Sequence, residues 1–393
     1  MIVTIFEDQD SHKLYPINQL RASFELRCGA FTNMERIQKN MNINDEVQLL
    51  VRNEIKDIIQ ERYPHITVNP VSLSPGILLN GQAVWEKENI EQIDSGRTFT
   101  YKGRILAMHN LKTISISEVY NYIRKASAVS MEMDIPFMSN IWDPIFMQAE
   151  MITADAKYFM DYNSGKIHPS VVLENGDNIY IGENSEIRPG VVLDASAGPI
   201  IIDNHVYIDI GALIQGPVYI GPNCTINPGA KLRKNITIGP MCKIGGEVED
   251  VIFQGYDNKQ HEGFLGHSYL GEWINLGANT NNSDLKNNYG YIRIQIGEDE
   301  IETSHQLLGS IINDYVRTGI STMLNTGTVI GLGANVFGAG FQSKYIPPFQ
   351  WGNNDKTKLD KFIQTIETMK KRRNKSLNDS EITRISKIYE DSV

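Results

Sequence analysis

Two arginines near the start of the chain are candidates for phosphate chemistry. Arg21, Glu25, Arg27 and Gly29 form an R-x3-E-x-R-x-G cluster shortly after the first strand-like segment. Guanidinium groups make paired hydrogen bonds to phosphate, so this cluster suits nucleotide binding by Arg21, Glu25 and Arg27. A structural ion-pair network around Glu25 is the alternative that the same residues allow.

A carboxylate begins the segment that leads out of the first half. Asp143 follows Trp142 at the predicted start of a helix, which we expect over residues 137–161. Such a carboxylate can bind a divalent cation such as Mg²⁺, or it can cap the helix. Spacing alone favours the cap, and the metal site at Asp143 is the second hypothesis.

Composition limits the classes of protein to consider. The chain has 393 residues, 41% hydrophobic and 21% charged, with a net charge of -10. These values indicate a folded, two-domain protein, and the acidic balance argues against nucleic-acid binding. No apolar run is long enough to span a membrane, and the segment MIVTIFEDQD does not resemble a signal peptide. We therefore expect a cytoplasmic protein without a disulfide framework.

A six-residue period organises the second half. Branched aliphatic residues stand at every sixth position: Ile202, Ile208, Ile214, Ile220, Ile226, Leu232, Ile238 and Ile244. Mostly small apolar residues follow four positions later: Val206, Ala212, Val218, Cys224, Ala230, Ile236, Cys242 and Val248. The frame also occurs at Ile181, Ile187 and Leu193, and it returns at Ile312, Thr318, Leu324, Ile330 and Val336.

Neither an α-helix nor a simple strand has this period, but hexapeptide repeats of a parallel β-helix do. Each hexad is one face, the aliphatic residue points inward, and three successive hexads close one coil. Cys224 and Cys242 are three hexads apart at the small inward position, so we expect two stacked, buried thiols instead of a redox pair.

The frame breaks between Ile244 and Ile312. Partial hexad spacing remains at Phe264, Leu270, Ile274 and Leu276. The intervening segments EVEDVIFQGYDNKQHEGFLGHSYLGEW and GANTNNSDLKNNYG are polar, aromatic and rich in Gly and Asn. We expect them to project as loops, which is where solenoids usually bind ligands.

The first half alternates strand-like and helix-like segments, as in an α/β domain with a largely parallel sheet. RTFTYKGRILAMH (97–109) predicts a hairpin with a Lys-Gly turn, and the segments TKLDKFIQTIETMKKRRNK and SLNDSEITRISKIYED predict two C-terminal helices. The basic run Lys370–Lys375 is interpreted as a solvated face. The predicted domains are 1–160 (α/β), 161–350 (β-helix) and 351–393 (helical tail).

This order of domains resembles the bifunctional sugar nucleotidyltransferase–acetyltransferases that make UDP-N-acetylglucosamine. It is most similar to a divergent, mainly Bacteroidetes branch, the sugar nucleotidyltransferase or UDP-N-acetylglucosamine diphosphorylase group. The segments FELRCGAFTNMERI, WDPIFMQAEMITAD, NLGANTNNSDLKNNYG, TGISTMLNTGTVIG and FQWGN carry the resemblance, together with the GHSYLGEW block. It implies a Rossmann-like nucleotidyltransferase-like domain, a left-handed β-helix and a homotrimer.

The resemblance also implies site residues. GHSYLGE is similar to the family segment that holds the catalytic base, which points to His267, and an imidazole can take a proton from an attacking amine. The acceptor sugar would be bound by residues of the interrupting segments: Lys259, Tyr269, Asn281, Asn282, Asp284, Lys286 and Tyr289. Acyl-CoA (acetyl-CoA) would lie along the later coils, near Gly319, Ser321, Thr322 and Gly338.

The sequence departs from the family at several positions. No glycine precedes Gly29, so the Gly-rich triphosphate loop after the first strand is missing. The arginine cluster replaces that loop, or the domain only binds a nucleotide sugar. Asn227 and Gly245 stand where the family has its sugar-phosphate arginine and its binding lysine.

Three histidines raise a further alternative, because hexapeptide carbonic anhydrases bind a metal with three histidines between subunits. His205, His261 and His267 are the candidates. Hexads fill the gap between His205 and His267, which disfavours a metal shared within one subunit. For His267 alone, the alternative role is an ordinary coil-edge histidine.

The favoured hypothesis is a transferase of nucleotide-sugar metabolism. Its β-helix would transfer an acyl group from acyl-CoA to an amino sugar, free as a phosphate or linked to a nucleotide, and its first domain would bind or make the nucleotide sugar. One alternative is a sugar-1-phosphate nucleotidyltransferase whose β-helix only trimerises. The other is a non-catalytic nucleotide-sugar-binding scaffold.

Overall fold

The computed structural model describes residues 1–42, 44–93, 96–126, 130–353 and 355–392. They form two compact units. The α/β unit comprises Met1–Leu26, Phe31–Asp143 and Asn378–Arg384. The solenoid unit comprises Arg27–Ala30, Pro144–Leu377 and the residues from Ile385 onwards. The domain limits 1–160, 161–350 and 351–393 stay a prediction.

A mixed sheet forms the core of the α/β unit. Its described strands lie in the order Met131–Glu132, Thr98–Tyr101, Arg104–Asn110, Gly76–Asn80, Ile2–Phe6, Glu46–Leu50 and Thr67–Val68. The last four strands of this order are mutually parallel, and Arg104–Asn110 runs antiparallel to Gly76–Asn80. Burial on both faces explains why Ile2–Phe6 and Gly76–Asn80 are nearly continuous apolar runs.

The predicted hairpin is confirmed, since Thr98–Tyr101 pairs antiparallel with Arg104–Asn110. Its turn residues Lys102 and Gly103 both have positive φ, as a tight two-residue hairpin turn requires. The helices of this unit include Asn33–Asn40, Lys56–Arg62, Lys87–Glu91 and Val119–Ala126. The helix expected over 137–161 is shorter, because Asp143–Asp155 is helical and a 3-10 turn follows at Ala156–Phe159.

The solenoid unit is a left-handed parallel β-helix built as the hexads predict. Ile202, Ile220 and Ile238 stack on one face, and Ile208, Ile226 and Ile244 stack on the next. All six are fully buried. The two cysteines are also stacked and buried, with the Cys242 N–H directed at Cys224 Sγ at 3.3 Å. The coil of three hexads and the buried thiols are therefore confirmed.

The strands of the regular coils are short. In chain order they are Lys166–Ile167, Val172–Glu174, Ile179–Ile181, Glu186–Ile187, Val192–Asp194, Ile200–Ile202, Tyr207–Ile208, Leu213–Gln215, Val218–Ile220, Thr225–Ile226, Lys231–Lys234, Ile236–Ile238 and Lys243–Ile244. The later coils contain Ser310–Ile312, Arg317–Thr318, Met323–Leu324, Thr328–Ile330, Asn335–Val336, Tyr345–Ile346 and Gln350–Trp351.

The segment after Ile244, which the sequence predicts to loop out, instead continues the coils. Two long strands, Glu247–Gly255 and Phe264–Glu272, pair in parallel along their length. Val248 stacks on Leu232 and Leu265 stacks on Val248, so Leu265, not Phe264, takes the inward position. The expectation of a loop was wrong here because buried apolar residues still occur at coil spacing, without the six-residue period.

The insertion begins later in the chain. The strand Asn281–Asn282 is still part of a coil, because it pairs with Met323–Leu324, which follows the insertion in the chain. Between these strands lies an antiparallel hairpin, Arg293–Ile296 with Asp299–Glu302. The predicted C-terminal helices are present as Leu359–Lys371 and Asp379–Asp391. Within the described residues, no helix is long and apolar enough to cross a membrane.

Candidate functional site

His267 lies at a corner of the solenoid where the backbone is left-handed. Its φ is 43°, within the strand Phe264–Glu272. Bulky residues rarely adopt this conformation, and most other corner residues of this chain are Asn or Gly. Tyr256, Trp273, Tyr315 and Phe349 also have left-handed backbone in this solenoid, so the side-chain contacts of His267, and not its backbone alone, distinguish this corner.

A carboxylate orients the His267 ring. Nδ1 of His267 lies 2.8 Å from Oδ2 of Asp284, and both side chains are largely buried. A carboxylate only accepts hydrogen bonds, so Nδ1 carries the proton and Nε2 has a lone pair in the neutral ring. This tautomer is the one that a general base uses, as in hydrolase triads.

A second carboxylate approaches the other ring nitrogen. Asp250 Oδ2 lies 3.7 Å from His267 Nε2, and Asn235 Nδ2 donates to Asp250 Oδ1 at 2.7 Å. Asn235, Asp250 and His267 all have positive φ, so they are successive residues of one corner column. A proton that arrives at Nε2 would therefore be stabilised by carboxylates on both sides of the ring.

The backbone beside His267 is held by an amide clamp. Asn282 accepts the N–H of Gly266 and donates to its carbonyl oxygen, each at 2.9 Å. A Cβ on Gly266 would lie 2.4 Å from Asp284 Oδ2, so only glycine lets that carboxylate approach. Ser268 completes the clamp, because its hydroxyl donates to the Gly266 carbonyl and accepts from Asn282 and from the Ser310 N–H.

Two residues that the sequence analysis missed border this corner. The Phe146 ring lies 6.4 Å from the His267 ring and stacks on His305 at 3.7 Å, nearly parallel. Phe146 is 39% exposed, and partial burial lowers the pKa of His305. No motif marked either residue, since Phe146 lies on helix Asp143–Asp155 and His305 in the insertion.

Of the predicted acceptor residues, the structure brings Asp284 and Asn282 to His267 and gives others structural contacts. Lys259 stacks on Ile244 in an inward position, and its Nζ donates to the carbonyls of Gly245 and His261. Burial lowers the pKa of Lys259 to about 8.

Tyr269 is fully buried, and its hydroxyl donates to Gln254 and accepts the Arg27 N–H. Asn281 accepts the Phe264 N–H across neighbouring coils. Lys286 Nζ donates to the Tyr291 carbonyl, and Tyr289 is exposed in the insertion.

Asn227 donates its Nδ2 to the Gln260 carbonyl at 2.9 Å, and a Cβ on Gly245 would lie 2.4 Å from the same oxygen. Close packing of coils therefore accounts for these two departures from the family pattern.

The predicted acyl-CoA residues lie on the later coils. Thr322 is buried and donates to the Gly319 carbonyl, whereas Ser321 has a positive φ and accepts from Asn279. Gly338 has a φ of 140°. Beside them Ile320 and Phe337 are exposed, which leaves an apolar surface near this segment. Binding of acyl-CoA there stays a prediction.

A three-histidine metal site is not formed within the described residues, which contain no group of three His, Cys, Asp or Glu placed to hold an ion. Asp143 Oδ2 accepts the N–H groups of Ser139 and Asn140, so the carboxylate makes capping contacts at the helix start. Its pKa is raised by burial. These contacts correspond to the capping alternative, and Mg²⁺ binding at Asp143 stays a prediction.

The arginine cluster divides between the two units. Arg21 is buried and donates to the Ile17 carbonyl, and Glu25 pairs with Arg62 at 2.9 Å in the α/β unit. Arg27 belongs to the solenoid unit, where its side chain donates to the Ala30 carbonyl. These contacts correspond to the structural alternative, and nucleotide binding by Arg21, Glu25 and Arg27 stays a prediction.

A different charged cluster lies at the carboxyl edge of the α/β sheet. Asp8, shortly after strand Ile2–Phe6, accepts from Arg104 and from Asn80, which ends strand Gly76–Asn80. Arg104 also donates to Gln82, and its Nη1 is buried with no partner among the described residues. Open α/β sheets bind ligands at this edge. The EDQD segment after the first strand was the sequence signal for it.

Parts of this chain are similar to known proteins. Residues 3–162 match the family model described as sugar nucleotidyl transferase, and residues 199–234 match that of bacterial transferase hexapeptide (six repeats). The curated bifunctional sugar-1-phosphate nucleotidylyltransferase/acetyltransferase of Sulfurisphaera tokodaii is 32% identical over 98 residues. That match spans 24% of this chain and 24% of the relative's length.

Two solved structures are similar at low identity. The UDP-N-acetylglucosamine acyltransferase from Campylobacter jejuni is 16% identical with a TM-score of 0.33, covering 58% of this chain and 97% of its own. AntD, an N-acyltransferase from Bacillus cereus in complex with dTDP and 3-hydroxybutyryl-CoA, is 12% identical with a TM-score of 0.19. The match covers 56% of this chain and 96% of the AntD chain.

Proposed function

We propose that this chain, which carries a sugar nucleotidyl transferase domain followed by bacterial transferase hexapeptide repeats, is a transferase of nucleotide-sugar metabolism. Its β-helix transfers an acyl group from acyl-CoA to the amine of an amino sugar, either a phosphate or a nucleotide-linked sugar. The observation that carries the proposal is the His267–Asp284 contact at a left-handed corner.

The reaction follows from the protonation state of the ring. The amine nitrogen attacks the thioester carbonyl, a C–N bond forms, and the C–S bond breaks. Nε2 of His267 takes the proton that the amine loses and returns it to the departing thiolate as CoA-SH. Asp284 keeps Nδ1 protonated throughout, and Asn282 holds the backbone that presents the ring.

The test is a thiol-release assay with acetyl-CoA and longer acyl-CoAs against a panel of amino-sugar phosphates and nucleotide-linked amino sugars. We expect acceptor-dependent release in the wild type that is lost in His267→Ala. A folded protein with no acceptor-dependent release over the whole panel would remove acyl transfer from the proposal. Light scattering on the same sample tests the proposed homotrimer.

A second function has its own support in the α/β unit. The Arg104 guanidinium lies over the Phe137 ring beside Asp8 and Gln82, and its Nη1 has no hydrogen-bond partner among the residues that the structure describes, which suits a phosphate at the sheet edge. We therefore propose that this unit binds a nucleotide or nucleotide sugar there. Pyrophosphate release from nucleoside triphosphate plus sugar-1-phosphate tests for nucleotidyl transfer. Binding without turnover, abolished in Arg104→Gln, would leave the binding role alone.

A further inference from the structure

A polar trough lies where the first C-terminal helix, Leu359–Lys371, covers one face of the solenoid. Outward residues of successive coils form a column of Lys243, Asn258, Asn275 and Arg317. Two adjoining cavities of about 250 and about 560 Å³ share Asn258, Asn275, Met369 and Arg372. We call their combined lining the helix trough: Lys243, Tyr256, Asn258, Gln260, Trp273, Asn275, Arg317, Gln364, Thr365, Thr368, Met369, Arg372 and Arg373.

The helix trough is cationic without acidic neighbours in its lining. Lys243, Arg317, Arg372 and Arg373 face it, and the described lining residues include no Asp or Glu. The contacts of the guanidinium groups are to neutral atoms, since Arg317 Nη2 lies on Met369 Sδ and Arg373 Nη2 donates to Asn258 Oδ1. Partial burial alone lowers the pKa of Arg317. The trough therefore presents four basic side chains and no carboxylate among its described lining residues.

An aromatic pair and several amides line the same space. The Tyr256 and Trp273 rings stack at 4.3 Å, and Lys375 and Lys370 lie near these rings. The sequence interpretation of the Lys370–Lys375 run as a solvated face does not hold for Lys370, which is 8% exposed. The amides of the trough, such as Gln260, can donate to or accept from the polar edge of a heterocycle.

We propose that the helix trough binds a phosphorylated small molecule of the nucleoside-diphosphate class. The phosphates would pair with Arg372, Arg373, Arg317 and Lys243, because guanidinium groups recognise phosphate bidentately. The base would lie towards Trp273 and the amides. Both an acyl-CoA and a nucleotide sugar contain this group, and the assignment of the trough does not depend on His267 acting as the base.

Tryptophan fluorescence and calorimetry with ADP, UDP, CoA and inorganic pyrophosphate test the site. We expect saturable binding that weakens with added salt, and a fluorescence change that is lost in Trp273→Phe. Arg372→Gln should raise Kd at least tenfold. Lys371→Gln is the matched control, since it removes the same charge from the same helix outside the trough, and it should change Kd less than twofold. His267→Ala should bind as the wild type does.

Two results would overturn the proposal: no saturable binding of any of the four probes, or an equal loss of affinity in Arg372→Gln and Lys371→Gln at unchanged melting temperature. CoA binding more than tenfold tighter than UDP identifies the acyl donor as the source of the ligand, and the reverse order identifies a nucleotide sugar. Pyrophosphate that binds as tightly as the nucleotides supports the phosphate contacts.

Discussion

The regular coils and the interrupted coils of the solenoid use the same positions for different purposes. Between Ile202 and Ile244, inward positions hold apolar residues, and the corners hold Asn, Gly, Met241 or a surface histidine, His205. Between Glu247 and Gly309, an inward position holds Lys259 and a corner holds His267 flanked by two carboxylates. A polar residue is tolerated at these positions only where neighbouring coils provide its hydrogen-bond or charge partners. The proposed chemistry is therefore concentrated where the repeat is broken.

The largest expected effect separates the two corner histidines. His205 and His267 both have left-handed backbone, but His205 is exposed, whereas Asp284 holds His267. Loss of a general base costs about 10²- to 10⁴-fold in rate, so His267→Ala should lower acceptor-dependent thiol release by that factor. His205→Ala should remain within about twofold, and a comparable loss in both variants would contradict the assignment.

The two carboxylates at His267 should contribute unequally. Asp284→Asn leaves an amide at Nδ1 that can stabilise the wrong tautomer, so kcat should fall about 10- to 100-fold. Asp250→Asn changes a carboxylate that lies 3.7 Å from Nε2 without a hydrogen bond, and kcat should fall only about threefold. Steady-state kinetics with a saturating acceptor measures kcat of both variants. Equal losses of kcat in Asp284→Asn and Asp250→Asn would mean that the His267 ring has a different orientation.

Gly266→Ala tests the close approach of Asp284. The new Cβ would meet Asp284 Oδ2 at 2.4 Å, so the carboxylate must move and kcat should fall about tenfold. Gly176→Ala is the control in an early coil, because its Cβ would meet nothing closer than 3.8 Å and activity should not change. A Gly266→Ala protein with wild-type kcat and melting temperature would show that Asp284 is dispensable.

The last comparison concerns stability and distinguishes the two kinds of inward position. The pKa of Lys259 is about 8 in the folded chain, below the usual value of about 10.4, so the unfolded chain binds the extra proton between these pH values. Wild-type stability should therefore rise with pH from about 8 to 10.5, by roughly 3 kcal/mol relative to Lys259→Met.

Denaturant unfolding at pH 7, 9 and 10.5 measures this difference. Lys231→Met is the control, because Lys231 is exposed in a regular coil. The free energy of unfolding of this variant should have the same pH dependence as that of the wild type. Parallel pH dependence of the wild type and Lys259→Met would mean that Lys259 is solvated in the folded protein.

Period and residue type were enough to predict the solenoid and several strands of the α/β unit. The solenoid can be predicted from the six-residue spacing without knowledge of tertiary contacts, because each inward residue recurs at the same place on every regular coil. Some coils are shorter, as from Ile244 to Lys259, and one is much longer, from Leu270 to Ile312. In both places the period was lost, and from Glu247 to Glu272 a loop was predicted in error. The pairing of the two long strands depends on neighbours, not on local pattern.

The chain's own order of residues thus determined the repeat, the stacked cysteines and the hairpin turn, and the resemblance of GHSYLGE to a known family pointed to His267 as the candidate base. Only the tertiary structure decided which partners that histidine has. Asp250 precedes His267 and Asp284 follows it by about one coil each, and they meet the ring because coils stack at one strand spacing. Tertiary contacts likewise decided that Tyr269 and Lys259 make buried hydrogen bonds, and that Arg317 and Arg372 lie together in the helix trough. The physical reason is that a buried polar group needs a hydrogen-bond partner, and distance along the sequence does not reveal which residue that partner is.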